Sequence, residues 1–208
     1  SADELVIEGS ANSGINILSG NSSEGGIYFG DDGDNDIGRI RYDHSNNSLD
    51  FFTNAAERMS LASNGGVIIT TADNTDTLTL ISTDTDSAIG PNLNLYRNAG
   101  NGADADNLST IAFAGNDDAG NATDFARITA QIEDASNGSE DVYVHHRSMV
   151  AGTEQLRMSL YQAEAVFNDG SADIDFRVES NDGTHALFVD AGNNVVIVGG
   201  IDGSGTTP

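Results

Sequence analysis

The sequence has no cysteine, no tryptophan and no lysine. Without cysteine there is no disulfide, no thiolate zinc site and no cysteine nucleophile, and redox chemistry gives no sign of the compartment. Without lysine, a phosphate loop of the Gly-x-x-x-x-Gly-Lys type is excluded. Positive charge is scarce altogether: 8 arginines face 33 Asp and Glu, a net charge of −25. Phosphate neutralisation and docking on an anionic membrane surface both need clustered Lys and Arg. Neither a nucleic-acid partner nor membrane insertion is expected. Long apolar runs are missing too. Val195-Val196-Ile197-Val198 is among the longest, far short of the ~18 residues of a membrane span.

Apolar side chains are also in short supply. Leu, Ile, Val and Phe make up 47 of the 208 residues, with 3 Met besides. Chains with so few of them and a high net charge lie close to the disordered class. Such a chain gains if several copies pool their apolar faces, which points to an obligate oligomer.

What apolar residues there are alternate. Leu5 and Ile7, Ile15 and Ile17, Leu78 and Leu80, Leu93 and Leu95 are spaced by two. So are Ile111 and Phe113, Val142 and Val144, Leu156, Met158 and Leu160, Phe176 and Val178. Period two over short runs predicts half-buried strands. Asn64-Gly65, Asn137-Gly138, Asp169-Gly170 and Asp182-Gly183 punctuate the runs, and such pairs supply the positive φ angles of tight hairpins. Residues 153–167 carry Leu156, Leu160 and Ala163 at helical spacing. Strict alternation over the same stretch favours a strand. The reading is all-β, with little or no helix.

The chain also repeats itself. Residues 3–18, 76–95 and 173–189 each read as an alternating strand, a polar turn and a second strand. Between them lie two longer stretches that resemble each other. One opens Ile27-Tyr-Phe-Gly, continues through Arg39-Ile40 and closes on Arg58-Met-Ser-Leu61. The other opens Ile111-Ala-Phe-Ala, continues through Arg127-Ile128 and closes on Arg157-Met-Ser-Leu160. The second is longer, which predicts an inserted loop. The expected division is a first β repeat over residues 1–72, a second over 73–170, and a third paired-strand unit with a flexible tail over 171–208. No such unit has apolar residues enough for its own core, so each must stack on a neighbour or on another chain. An elongated object of tandem short-strand repeats is expected.

Three segments carry a family resemblance. Residues 26–61, from Gly26-Ile-Tyr-Phe-Gly to Arg58-Met-Ser-Leu61, are one. Gly90-Pro-Asn-Leu-Asn-Leu-Tyr-Arg97 is another, and the third is residues 173–199. They resemble stretches of tail-fibre and other virion-fibre proteins of tailed bacteriophages, marine ones especially. The resemblance implies a homotrimer of β-rich segments located on the virion, outside the cell. Its implied partners are other fibre or baseplate proteins and a host-surface glycan or protein. In that family such stretches often precede a self-trimming chaperone domain. The family usually continues with a Val-Gly-Ile-Gly-Thr-like turn, where this chain reads Val198-Gly-Gly-Ile-Asp-Gly. The implied function is structural and adhesive. Alternatives are a polysaccharide depolymerase on a phage fibre and a bacterial surface or filament subunit.

Catalytic motifs are sparse. His145 and His146 are adjacent in an alternating run, so they face opposite ways and do not share a metal. His44 and His185 lie in or near turns, and there is no Gly-x-Ser-x-Gly elbow. A glycosidase needs two carboxylates across a cleft, and among 33 acids no pair stands out. No residue is assigned catalysis, and a non-enzymatic protein is expected. In Asp31-Asp-Gly-Asp-Asn-Asp36, oxygen ligands at alternating positions around a glycine suit a hard cation. The closing Glu of an EF-hand is missing, and a solvated turn is the competing reading. Asp31, Asp34 and Asp36 are candidate Ca²⁺ ligands. The arginines sit in or beside alternating runs and are expected to hold strand register through bidentate carboxylate pairs, some between chains. Receptor contact is expected from loops on the β scaffold. These are residues 98–107, with Asn98, Asn101, Asp104 and Asp106, and residues 116–124, with Asn116, Asp117 and Asp118.

Overall fold

Thirteen strands and no helix make up the described part of the protein. The structure is a computed structural model that describes residues 5–179, 181 and 186–199. The chain divides into two units, Ser1–Asn92 and Leu93–Pro208. The first unit holds one antiparallel sheet of β1 (Glu24–Phe29), β2 (Gly38–Asp43), β3 (Ser48–Thr53), β4 (Ala56–Leu61) and β5 (Val67–Ile69), in that order. The second unit holds a like sheet of β6 (Asn107–Asn116), β7 (Ala122–Asp134), β8 (Asp141–Val150), β9 (Thr153–Leu160) and β10 (Ala165–Phe167). It also holds a three-stranded sheet of β11 (Phe176–Val178), β12 (Leu187–Asp190) and β13 (Val195–Val198).

Alternation decides what each sheet presents, because successive residues of a strand point to opposite faces. In the first sheet, cross-strand register lines up Ile27, Ile40, Phe51, Met59 and Ile69 in one row. Tyr42, Leu49, Leu61 and Val67 form the next row on that face. The other face carries Arg39, Arg41, Asp50, Phe52, Glu57 and Ser60. Each meander is thus apolar on one side and polar on the other.

The two five-stranded sheets agree in register position by position. Ile27 pairs Ile40 as Ile111 pairs Ile128. Asp50 pairs Ser60 as His145 pairs Ser159. Both third-to-fourth strand pairings slip, at Phe51/Phe52 and at His146/Arg147. The slip leaves Arg58 or Arg157 as the extra residue, a bulge at the start of each Arg-Met-Ser-Leu. In each sheet the bulged arginine's carbonyl accepts an amide from just past the fifth strand, Thr70 or Asn168, at 2.9 Å. The hairpin before each bulge turns on two residues of positive φ, Asn54-Ala55 and Ala151-Gly152. These are the conformations a tight primed turn requires. Neither pair is an Asn-Gly or Asp-Gly, which hides both turns from a sequence reading.

Three expectations need correction. The second long stretch does not gain its length as loop: β6, β7 and β8 have 10, 13 and 10 residues where β1, β2 and β3 have 6 each. Residues 122–124, read as loop, belong to β7. Residues 5–18 and 76–95 are not strands. Their alternation is real, yet Leu5, Leu18, Leu78 and Leu93 stand exposed. A strand needs a partner as well as a pattern, and among the described residues these segments have no ladder. The third such unit does pair, Phe176 with Val189 and Val178 with Leu187. Its Asp182-Gly183 turn and His185 lie outside the described residues. Over residues 153–167 the strand reading holds, as β9 and β10.

Among the described residues, burial falls on the polar faces of the two five-stranded sheets. In the first, Phe52, Ser48 and Asp50 are buried; in the second, His145 and Ser159 are. Asp50 is 2% exposed. Its carboxylate accepts from Arg41 Nη2 at 2.9 Å, Ser48 Oγ at 3.0 Å and Ser60 Oγ at 2.7 Å. Burial pushes its pKa up, but the Ser60, Arg41 and Ser48 hydrogen bonds and the Arg41 charge outweigh it and hold the carboxyl below its ordinary value. A depressed folded pKa gives stability that is present above the unfolded pKa and lost as pH falls through the folded one. Thermal melts should therefore show the protein weakening between about pH 5 and about pH 2. Asp50→Asn should flatten part of that dependence. Asp50→Ala at neutral pH should cost about 2–3 kcal/mol, read by denaturant unfolding, because it takes one of two carboxylates from the half-buried Arg41 and the acceptor from the Ser48 and Ser60 hydroxyls.

Candidate functional site

The most extensive candidate surface is the apolar face that both five-stranded sheets leave uncovered. Ile27, Phe29, Tyr42, Leu61, Val67 and Ile69 of the first sheet are exposed. So are Ile111, Phe113, Val142, Leu160 and Phe167 of the second. Over the first sheet, Ile17 reaches the Gly25-Gly26 step: a side chain at Gly25 would meet Ile17 Cγ2 at 3.4 Å. Ile40, Leu49, Phe51 and Met59 of that face are half-buried. Contiguous apolar faces of this extent mark interaction surfaces in soluble proteins.

The loop residues singled out as receptor contacts fall into two separate places. Asn98 and Asn101 are exposed. Asp104 Oδ1 accepts the Ala135 amide at 2.9 Å, which ties its segment to the end of β7. Arg97 pairs with Asp106 Oδ1 at 3.0 Å and donates to the Asn107 carbonyl at 2.9 Å. The Ala103 amide and then Arg97 hold the Asp106 carboxyl below its ordinary value. Asn116 ends β6, paired with Ala122. Asp117 caps the turn that follows: its carboxylate accepts the amides of Ala119 at 2.9 Å and Asn121 at 2.8 Å, and Asn121 Nδ2 at 3.0 Å. The Asn121 side chain and backbone lead the contacts that depress its pKa. Asp118 is exposed. The two groups sit at opposite ends of β6, whose length is about 30 Å, so they do not form one surface.

The candidate calcium ligands are engaged in a turn. Asp31 Oδ1 accepts the amides of Gly33 at 2.8 Å and Asp34 at 2.9 Å, and these bonds lower its pKa. Asp34 Oδ1 accepts the Asp36 amide at 3.1 Å, and Asp36 pairs with Arg39. Among the described residues no three His, Asp or Glu converge to hold a metal ion. The arginines do take carboxylates. Arg41 bridges Glu24 and Asp50 at 2.9 Å each, Arg127 takes Glu154 at 2.5 Å, and Arg177 takes Glu179 at 2.6 Å. Arg157 instead donates to Ser148 Oγ at 2.7 Å.

Sequence reasoning missed the polar face of the second sheet. Arg127, Thr129 and Gln131 share it with Tyr143, His145 and Arg147, joined in register across β7 and β8. Glu154 reaches it from β9. The signal was present: the residues between the apolar ones also alternate, Arg-x-Thr-x-Gln and Tyr-x-His-x-Arg. Attention to the apolar pattern passed over them.

The capping geometry sorts the two adjacent aspartates of the β6–β7 turn. Asp117→Ala should lower the melting temperature, because it frees three donors at once. Asp118→Ala should leave it unchanged. Parallel thermal melts of the two variants check this. Set beside known proteins, the chain matches no family model, no curated protein and no solved structure.

Proposed function

We propose that this chain is a segment of a homotrimeric virion fibre of a tailed bacteriophage, most of all a tail fibre, with a structural and adhesive role at the host surface. The observation that carries the reading is the pair of single-layer sheets whose apolar rows face solvent. A sheet hydrophobic on one face must bury that face against another layer, and among the described residues no second sheet is laid on it within either unit. Copies of the same chain are the partners best matched to it, since they offer the same face. The extended segments over residues 5–18 and 76–95 support the reading as well: their alternating residues suit ladders completed by other chains. The matched register of the two five-stranded sheets supports a tandem repeat along an elongated fibre. The resemblance to virion-fibre segments supplies the location and the partners, which are other fibre or baseplate proteins and a host-surface glycan or protein.

Assembly is tested by sedimentation velocity. The chain should sediment as a trimer, and Ile40→Asp, in the first apolar row, should release monomers that keep their strand content by circular dichroism. A wild-type chain that sediments as a monomer overturns the reading. Three chains triple a net charge of −25, and repulsion of that size needs screening. The trimer should therefore loosen at low ionic strength and tighten toward seawater salt or with added divalent cations.

A further inference from the structure

The polar faces of the two five-stranded sheets differ at matching positions. In the first sheet, Arg39 and Arg41 of β2 flank Phe52 of β3, with guanidinium carbons 4.1 and 4.6 Å from the ring centroid. Beside them Asp50 is sealed by Arg41, Ser48 and Ser60. The face is filled. By register, the same four positions in the second sheet are Arg127, Thr129, His145 and Arg147. Threonine is shorter than Arg41, and a guanidinium stands where the Phe52 ring stood. What the ring fills in one sheet is open in the other, as a cavity of about 300 Å³. That is the small end of the range for ligand pockets.

The lining of this cavity is polar and largely fixed. Arg127 Nε donates to Glu154 Oε1 at 2.5 Å, while Arg147 Nη1 stands 3.6 Å from Glu154 Oε2. The longer contact leaves the Arg147 fork open to a second anion. Two guanidinium groups and one carboxylate line the cavity, with the Glu133 carboxylate beside Tyr143 and the Asp169 carboxylate beside Tyr161. The Thr110 and Thr129 hydroxyls lie 3.2 Å apart, and Gln131 Nε2 donates to Asn107 Oδ1 at 3.1 Å. His145 Nδ1 is bonded to Ser159 Oγ at 3.0 Å. Burial, then Arg147, lowers its pKa, so the ring is neutral at pH 7. Tyr143 stacks beside His145 with centroids 5.7 Å apart, and Tyr161 meets Tyr143 edge-on at 4.9 Å. These rings lie beyond His145, outside the lining of the cavity.

We infer that this cavity binds an acidic sugar, a ring bearing one carboxylate and adjacent hydroxyls. Arg147 takes the carboxylate in a bidentate pair, and Glu154 accepts a hydroxyl. The mixed charge selects among anions: the Glu154 carboxylate opposes a phosphate dianion, and a neutral sugar leaves Arg147 unmatched. The inference rests on the adhesive reading above and moves the contact from the loops to the polar face of a sheet, the side that packing of the apolar faces leaves in solvent.

The test is calorimetric titration of the full chain with a galacturonate trisaccharide, with a galactose trisaccharide and inorganic phosphate as comparison probes. The uronate should bind, and both comparison probes should bind at least about tenfold more weakly. Arg147→Phe, which fills the cavity as Phe52 fills the first sheet, should weaken uronate binding at least about tenfold. Arg147→Gln, which keeps a polar wall, should do the same, so the result does not hang on one variant folding well. Strand content and sedimentation should match wild type in both. Equal uronate affinity in wild type and both variants, phosphate binding as tight as uronate, or no uronate binding at millimolar concentration overturns the inference. A trimer that ignores uronate overturns this inference alone, and a monomer that binds it overturns the assembly reading alone.

Discussion

An antiparallel sheet one layer thick has one apolar face with nothing on it, and the rest of this molecule follows from that. Burial of apolar surface is worth about 25 cal/mol per Å², and it is the main term that offsets the entropy of ordering a chain. Here the row through Ile40 and Phe51, and the row through Ala130, Val144 and Leu160, are built by local alternation and, among the described residues, left without a second sheet. The meander supplies hydrogen bonds, register and a largely apolar surface, interrupted by His146 beside Ile128. It does not supply a core. Few apolar residues per turn of chain can make one good face per sheet, and a face becomes a core only when another face meets it.

The opposite face solves a different problem with a different scarcity. Eight arginines must serve a chain with 33 acids. Several are placed where one guanidinium does two things. Arg41 bridges Glu24 and Asp50 and stacks on Phe52, Arg39 pairs with Asp36 and lies over the same ring, and Arg97 takes Asp106 and the Asn107 carbonyl. Lysine, a point charge, does not offer this planar fork. Many of the remaining acids are spent locally. Asp31, Asp43, Asp73, Asp117 and Asp134 accept the backbone amides of their own turns, and these bonds help hold their pKa values down. An Asp-rich loop in this chain is therefore first a turn, stitched by its own carboxylate.

Much of this was legible in the residues, for physical reasons that differ case by case. Period two over Ile27–Phe29 and Ile111–Phe113 is enough to place strands, because alternation is a local property. The two Arg-Met-Ser-Leu quartets fell on matching fourth strands and matching bulges, since a bulge is fixed by the residues at it. The segments around Leu5 and Leu78 have the same alternation and no ladder, because pairing depends on a partner that sequence does not locate. The turns at Asn54-Ala55 and Ala151-Gly152 were missed, since an alanine at positive φ carries no turn signature. The extra length of the second stretch was read as inserted loop, yet it extends three strands. The cavity beside Arg147 was out of reach, because it depends on side-chain size at four register-related positions and on what each omits.

That last case bears on how such a chain can diversify. The two five-stranded sheets share strand order, register, bulge and hairpin. Their apolar rows are alike in character, as they must be if each is to meet a like face. Their polar faces are unlike. Asp50 corresponds to His145, Arg41 to Thr129 and Phe52 to Arg147. In the proposed fibre a substitution on the apolar face disturbs every copy that packs there, which would hold that face to a narrow range of residues. A substitution on the polar face alters only local contacts, provided each buried polar group keeps a partner, as His145 keeps Ser159. The proposed assembly thus separates a face that it constrains from a face that is free to change, and an open cavity can arise on the second without cost to the first.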